Sequence, residues 1–436
     1  MKKIVLVLFA VSLGLVAYGA KAKKAGLAER NATTQYPIMP IMYCSQGNGL
    51  QEIYLTDYLP QVTNWDNLRF ETEPSYQVVE VKDGVLSLAG DQTLSVLHVE
   101  DVSTGCKYDI PVVAKSSYEV GLVTKAYTDS TITIGVLNEY EHLQFRVLWQ
   151  NTRTREGIEY GQYDSVATIK IEPAWRNSKG RTFIRVFAMG DGKQLNDLLI
   201  PLENGKVVAC ADELTRFDDH AQILYSLMID RFENGNKKND WKMNSPEVLD
   251  IVDYQGGDLA GITKKIKDGF FAELGITTIW ISPITQNPWD AWGMYPFPNG
   301  NKYDNSKKYT KFSGYHGYWP IFATVIDKRF GTDKELKKLL STAHANGMNV
   351  VLDYVANHMH INSPTLRENP TWHTDSILPD GRRNFELWDE ARLTTWFDVH
   401  IPTLDLERPE VCGPMTDSAM YWLENYDFDG FRHDAC

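Results

Sequence analysis

The sequence predicts an α/β protein: an incomplete (β/α)8 TIM barrel with a lobe inserted after its third strand, preceded by β-sandwich modules. Three observations carry this expectation. Between Tyr36 and Cys210, short β-branched and aromatic runs alternate with turn dipeptides. After Asp212, four apolar runs each reach a polar residue, at Asp230, Ser282, Asp353 and Asp434, with amphipathic stretches between them. About 80 residues separate the third run from the fourth, more than one strand–helix unit needs, so a lobe is expected there.

Composition sets the broad class. With 436 residues, 43% of them hydrophobic and 23% charged, the chain fits a soluble globular protein of roughly two to three domains. A formal net charge of -13 repels phosphate backbones, and no basic patch is evident, so no nucleic-acid partner is expected. Neutral substrates suit this charge better. The 12 Trp, 22 Tyr and 17 Phe supply flat faces that fit the apolar faces of sugar rings, although most of them must serve the core.

At the amino terminus Lys2-Lys3 precede the apolar run Ile4 to Ala17, and Ala17-Tyr18-Gly19 forms a small-residue cleavage pattern. Residues 1–19 thus read as a signal peptide, and the expected location is periplasmic or extracellular. The run is shorter than the roughly 20 apolar residues of a transmembrane helix, so no stable membrane anchor is expected. Cys44, Cys106, Cys210, Cys412 and Cys436 are odd in number. An oxidising compartment permits a bridge, but the spacing predicts none, and the competing reading is small buried hydrophobes.

Two β-rich modules are expected, at 32–118 and 119–210, the second an immunoglobulin-like sandwich. Strands are predicted over Thr131 to Leu137, Gln144 to Trp149, Ala167 to Ile171 and Thr182 to Phe187. Asp83-Gly84, Asp191-Gly192 and Asn204-Gly205 supply the positive-φ positions of tight hairpins. Trp149 and Trp175 are candidate sugar-binding aromatics, weighed against the commoner use as packing spacers.

The barrel portion is expected over 215–436. Its strands are predicted at Gln222 to Asp230, Thr277 to Ser282, Asn349 to Asp353 and Gly430 to Asp434. Leu259, Ile262, Ile266, Phe270 and Leu274 keep a helical period that stops at Gly275. Thr332-Asp333-Lys334-Glu335 is a capping-box pattern ahead of Leu336, Leu339, Leu340 and Ala343, and that helix stops at Gly347. Strand–helix repetition implies a parallel sheet, whose carboxyl-terminal edge is where a barrel places its active site. The inserted lobe, about 359–405, holds His360, Trp372, His373, Trp388, Trp396 and His400, and their spacing matches no usual zinc pattern.

Six segments occur in a familiar order: ILYSLMIDRF (Ile223 to Phe232), GGDLAGI (Gly256 to Ile262), IWISPI (Ile279 to Ile284), GYHGYW (Gly314 to Trp319), DYVANH (Asp353 to His358) and GFRHDA (Gly430 to Ala435). Together they resemble the α-amylase family of glycoside hydrolases, in its neopullulanase and cyclomaltodextrinase-like branch, over about Gln222 to Cys436. The resemblance implies that Asp434 is the nucleophile of a retaining hydrolase of α-1,4-linked glucans, forming a covalent glycosyl-enzyme. Arg432, two residues earlier on the same strand face, is its implied partner, because a guanidinium favours the ionised carboxylate. The competing reading of that pair is a structural ion pair. His316 and His358 resemble donors to the hydroxyls of the sugar, Tyr318 the ring that stacks on it, and Asp353 a supporting residue that orients Arg432.

The segment from Asp230 to Asn236, with Asn239-Asp240 and Gly256-Gly257-Asp258, resembles a calcium loop of that branch. Its implied ligands are Asn234, Asn236, Asn239, Asp240, Gly256 and Asp258, all oxygen donors of the kind calcium takes. An ordinary Asn/Asp/Gly surface loop is the alternative. A second calcium site would use Asn357, but Thr403 stands where the family pattern has an Asp, which puts that ion in doubt. The family's general acid Glu and third carboxylate lie on later strands, so the sequence is expected to be an inactive front portion of an enzyme. Starch, maltodextrin, cyclodextrin or pullulan are the implied partners, and some members of the branch form homodimers through an amino-terminal β-domain. Two alternatives stay open: a non-catalytic glucan-binding protein, and a transglycosylase.

Overall fold

The computed structural model describes residues 39–435 apart from 45–49, 60–61, 63, 73–75, 91–93, 115–116, 141, 150–151, 154–157, 161–165, 219–220 and 297–308. The expected signal peptide at 1–19 lies outside the described residues, as does Cys436. Two compact units emerge, one within Lys23–His220 and the other including Ala221–Cys436.

The amino-terminal unit is built from β-sheets around separate apolar clusters. A four-stranded sheet holds Met42–Cys44, Leu68–Thr72, Ser95–Asp101 and Cys106–Ala114, and a three-stranded sheet holds Leu50–Tyr54, Tyr76–Lys82 and Val85–Gly90. Met42, Leu86, Leu97 and Ile110 belong to the core these two sheets share. Further along, Leu122–Tyr127, Thr131–Val136, Ile158–Tyr160 and Val166–Lys170 form one sheet, and Gln144–Trp149 and Arg181–Gly190 lie at the heart of a seven-stranded one. Ile132, Ile134, Val147, Ile184 and Val186 lie in their common core, which is the sandwich arrangement the alternating strands call for. A third cluster, including Val96, Val113, Leu148 and Phe187, joins residues from both halves, so the two expected modules form one compact unit.

All three turn dipeptides adopt the left-handed conformation, with φ of 50° and 78° at Asp83-Gly84, 49° and 73° at Asp191-Gly192, and 49° and 78° at Asn204-Gly205. Trp175 is buried and stacks on Trp149 at 6.2 Å, so Trp175 serves as a packing spacer and not as an exposed sugar platform. Cys44 is a buried free thiol, whereas Cys106 and Cys210 are free and exposed, which corrects the small-hydrophobe reading for those two.

In the carboxyl-terminal unit four parallel strands, Leu224–Leu227, Thr278–Ile281, Asn349–Val355 and Gly430–Asp434, pair in that order. The sheet is open, and no closed barrel exists among the described residues. The first strand stops earlier than expected. Asp230 sits in a one-turn helix, Ile229–Phe232, because the Ile229 N–H leaves the ladder and donates to Ser282 Oγ at 3.0 Å.

Between the first two strands the predicted helix divides into Leu259–Lys267 and Phe270–Glu273, with the break at Gly269 (φ 83°). Helix Asp333–Ala345 starts in a complete capping box between Thr332 and Glu335, worth about 1 kcal/mol. Leu259, Ile262, Leu336, Leu339 and Leu340 of these helices pack against Ile279, Ile281, Val350 and Leu352 of the strands in a single core. Two elements have no clear sequence signal. Strands Trp292–Pro296 and Tyr309–Phe312 pair as a ribbon, and helix Pro409–Asn425 accommodates Gly413 and Pro414 in its first half. The lobe from Met359 is mostly turns and isolated bridges, and a small cluster of Met359, Leu366, Leu404, Val411 and Met415 anchors it. No helix among the described residues is long and apolar enough to cross a membrane.

Candidate active site

Parallel pairing sets Asp353 beside Arg432 and Val355 beside Asp434 on the third and fourth strands. Alternation along the fourth strand then puts Arg432 and Asp434 on one face. Arg432 Nη1 donates to Asp353 Oδ1 at 2.9 Å and to Asp434 Oδ1 at 2.5 Å. The other oxygen of Asp353 accepts from the Tyr318 hydroxyl at 2.8 Å and from Trp280 Nε1 at 3.0 Å. The Arg432 guanidinium also lies 5.1 Å from the centre of the Trp280 ring. Asp353 is sealed, while the side chains of Arg432 and Asp434 keep 37% and 17% of their surface open, so the carboxylate that faces solvent is Asp434.

Burial raises the Asp353 carboxyl, and the Tyr318, Arg432 and Trp280 donors oppose that rise. Desolvation pulls Arg432 down, but hydrogen bonds to Asp434 and Asp353 outweigh it, so the guanidinium stays charged well past neutrality. The Tyr318 hydroxyl is pushed up by burial and by Asp353, and it remains a donor.

The loop Gly314–Trp319 carries His316 and Tyr318. Gly317 has φ +89°, and a Cβ there would come 2.3 Å from the Pro283 carbonyl, so only glycine fits this approach to the second strand's end. His316 Nδ1 accepts the Tyr318 N–H at 3.0 Å, and the two rings stack 5.8 Å apart. His358 Nε2 donates to the Tyr318 carbonyl at 3.0 Å. Desolvation lowers both imidazoles, with neighbouring histidines repelling a further proton, so both are neutral at physiological pH.

The structure therefore gathers Asp434, Arg432, Asp353, Tyr318, His316 and His358 at one edge of the sheet. Two details go beyond the sequence reading. Tyr318, expected as a stacking ring, also binds Asp353 through its hydroxyl. Trp280 was not singled out, although its place in the second strand, one residue before the last, was the available signal.

Residues 226–436 match the family described as Alpha amylase, catalytic domain. This part of the chain belongs to the α-amylase family. A cyclomaltodextrin glucanotransferase of Bacillus sp. (strain 1-1) is 27% identical over 249 residues, covering 52% of this chain and 32% of that protein. The maltogenic alpha-amylase of Bacillus acidopullulyticus is 31% identical over 224 residues, covering 49% of this chain and 33% of its own length. A solved alpha-amylase from Geobacillus thermoleovorans, complexed with acarbose, is 32% identical and covers 49% of this chain and 40% of its own, with a TM-score of 0.37. The chain thus spans about a third of the length of the curated relatives it matches.

Within the α-amylase domain the segment Asp230 to Asp258 folds into a closed loop. Asp230 is buried, accepts the Gln255 and Gly256 N–H groups, and has its carboxyl pushed up to about 6 by burial. Asp258 caps helix Leu259–Lys267 through Gly261 N–H and also accepts from Gly235 and Asn236 N–H. Asn236 donates to Glu335 and accepts from Lys238 N–H. These two expected calcium ligands thus also tie the loop together through hydrogen bonds. The remaining set is different in kind: Asn234 Oδ1 and both amide atoms of Asn239 are buried without a hydrogen-bond partner. Asn234 Nδ2 donates to Asp240 Oδ1 at 2.7 Å, and a Cβ on Gly256 would fall 2.6 Å from the first and 3.0 Å from the second.

In the lobe of the α-amylase domain, Thr403 Oγ1 donates to the Thr395 carbonyl at 2.6 Å, so the hydroxyl that replaces the expected Asp is already committed. His373 bonds the Thr374 carbonyl, and His360 and His400 are buried with ring centres 5.6 Å apart. Among the described residues no group of three or more His, Cys, Asp or Glu is placed to hold a metal.

Proposed function

We propose that this α-amylase-family domain serves hydrolysis of α-1,4-glucosidic bonds with retention of configuration. The observation that carries the reading is the sharing of Arg432 between sealed Asp353 and solvent-facing Asp434. The guanidinium bond fixes the orientation of Asp434, and an ionised carboxylate is what a nucleophile at an anomeric carbon requires. One Asp434 oxygen forms a bond to C1 as the C1–O4 bond breaks. The departing oxygen takes a proton from a separate acid, a task we assign to no residue described here. Water then displaces the carboxylate and releases a sugar of the original anomeric configuration.

Maltodextrin, starch, cyclodextrin and pullulan are the substrates this reading admits, in the manner of the neopullulanase and cyclomaltodextrinase-like branch. Transfer is the second reading, favoured by relatives named cyclomaltodextrin glucanotransferase. It differs only in whether a sugar hydroxyl or water takes the glycosyl group. The same reading extends to export, supported by Lys2-Lys3 and the apolar run Ile4 to Ala17. It also includes one calcium ion in the loop, supported by the unpartnered oxygens of Asn234 and Asn239 beside Asp240 and Gly256. Bound there, calcium would hold the loop together by oxygen coordination.

α-Maltosyl fluoride tests the central claim, because fluoride departs without needing a proton. Release of fluoride by the wild type and not by Asp434→Asn supports Asp434 as nucleophile. Equal release by both proteins sinks it.

A further inference from the structure

Asn287 lies just beyond the second strand, is fully buried, and was not among the residues singled out from sequence. Its carboxamide spends every bond on main chain. Nδ2 donates to the Thr285 carbonyl at 2.7 Å and to the Gly317 carbonyl at 3.1 Å, while Oδ1 accepts the Trp319 N–H at 2.8 Å. Gly317 and Trp319 are the two neighbours of Tyr318. One side chain therefore grips the backbone on both sides of the residue whose hydroxyl reaches Asp353 and whose carbonyl receives His358. The loop is drawn in closely, since a Cβ on Gly314 would come 2.7 Å from Asn287 Cβ.

Asn287 is itself held from behind. Its N–H donates to Asp327 Oδ2 at 3.0 Å, and its carbonyl accepts from Arg329 Nη2 at 2.8 Å. Asp327 and Arg329 form an ion pair with side chains 0% and 2% exposed, and Arg329 lies over the Trp289 and Tyr254 rings at 4.2 and 4.5 Å. A buried charge pair whose hydrogen bonds are met stiffens what it holds, here Asn287 and the main chain around it.

We infer that Asn287 is a positioning residue: it sets the depth of Tyr318, and through Tyr318 the placement of His358 and Asp353. The role rests on the reading of this edge as the sugar-cleaving face. A purely structural Asn287 would stabilise the whole unit evenly, whereas a positioning Asn287 acts first on the loop.

Two variants separate these cases in the full chain. Asn287→Asp keeps the shape and sets a carboxylate against two carbonyl oxygens. Asn287→Ser leaves room for a water to bridge the orphaned groups. The ligand-free readout is hydrogen exchange of the His358 Nε2–H, followed by nitrogen-15 NMR, with amide exchange in Asn349–Val355 as reference. The inference expects His358 exchange to quicken about tenfold, the equivalent of one hydrogen bond, while the reference strand is unchanged. Unchanged His358 exchange, or equal loss in loop and strand, overturns it. Maltotriose binding is measured alongside, with affinity expected to fall about tenfold in both variants. Wild-type protein that binds no maltotriose would count against the proposed function alone, because the exchange measurement still decides the role of Asn287.

Discussion

Asp353 and Arg432 are register partners on adjacent parallel strands, joined by a 2.9 Å hydrogen bond from Arg432 Nη1 to Asp353 Oδ1. Asp353 also takes the Tyr318 hydroxyl and the Trp280 indole on its second oxygen. One carboxylate thus orients a cation, a phenol and an indole around the base of the site. Asp353→Asn keeps the shape but removes the charge and replaces an acceptor with a donor. Turnover of maltosyl fluoride should fall on the order of 100-fold through misplacement of Arg432, with Asp434 intact. Rates within a factor of two of wild type would show that Arg432 needs no such support.

Asp434→Asn should remove turnover on the order of 10,000-fold or more while the far-ultraviolet circular dichroism and melting curve match wild type. The side chain lies at the open end of the network and is bonded to Arg432, so folding does not depend on it as it does on sealed Asp353. A melting midpoint that drops with the activity would indicate a structural ion pair instead.

Acid should destabilise the carboxyl-terminal unit through its buried histidines. His360 is fully buried and its value is lowered to about 3 by desolvation, with His400 adding repulsion, and His358 is lowered in the same direction. The unfolded chain binds protons on these rings near pH 6.5, so the stability is fully present above that value and is lost as pH falls toward 3. His360 alone should cost about 2 kcal/mol between pH 6.5 and 5. Urea unfolding at the two pH values measures it, and a His360→Gln protein should lose part of the difference.

Calcium should raise the melting temperature of the wild-type chain, and chelator should lower it. Occupancy at 100 times the dissociation constant corresponds to about 2.7 kcal/mol. Asn239→Ala should abolish the response, since both amide atoms of Asn239 are buried without a partner. Asp258→Asn should instead weaken the helix cap with or without calcium. A calcium response retained in Asn239→Ala would move the ion elsewhere.

Asp327→Ala should cost about 3–5 kcal/mol, because it strands a buried Arg329 whose partners are otherwise main-chain carbonyls and aromatic faces. Replacing Asp327 and Arg329 together with apolar residues should recover part of that loss. Chemical denaturation of the single and double variants checks both.

The β-rich unit and the parallel strands were legible because their signals are local. A period of two with Asp-Gly and Asn-Gly turns needs no distant partner, nor does the Thr332–Glu335 capping box. Where local signals conflicted, the reading erred. The apolar period from Leu259 to Leu274 reads as one helix, yet Gly269 adopts φ 83° and divides it. Pro414 masks the helix Pro409–Asn425, although Val411 and Met415 pack into the lobe's apolar cluster and Trp422 into the main core.

The order of motifs from Ile223 to Ala435 was enough, by itself, to point to the family and to the residues around which the site forms, because each motif carries its chemistry in a short stretch of chain. Only the tertiary structure decided how those residues are used. Asp258 also caps a helix, Tyr318 also donates to Asp353, and Trp280 in the second strand and Asn287 just beyond it joined the network around the site. Hydrogen bonds between segments tens of residues apart leave no period in the sequence. Their partners are chosen when the strands align and buried polar groups must find one another.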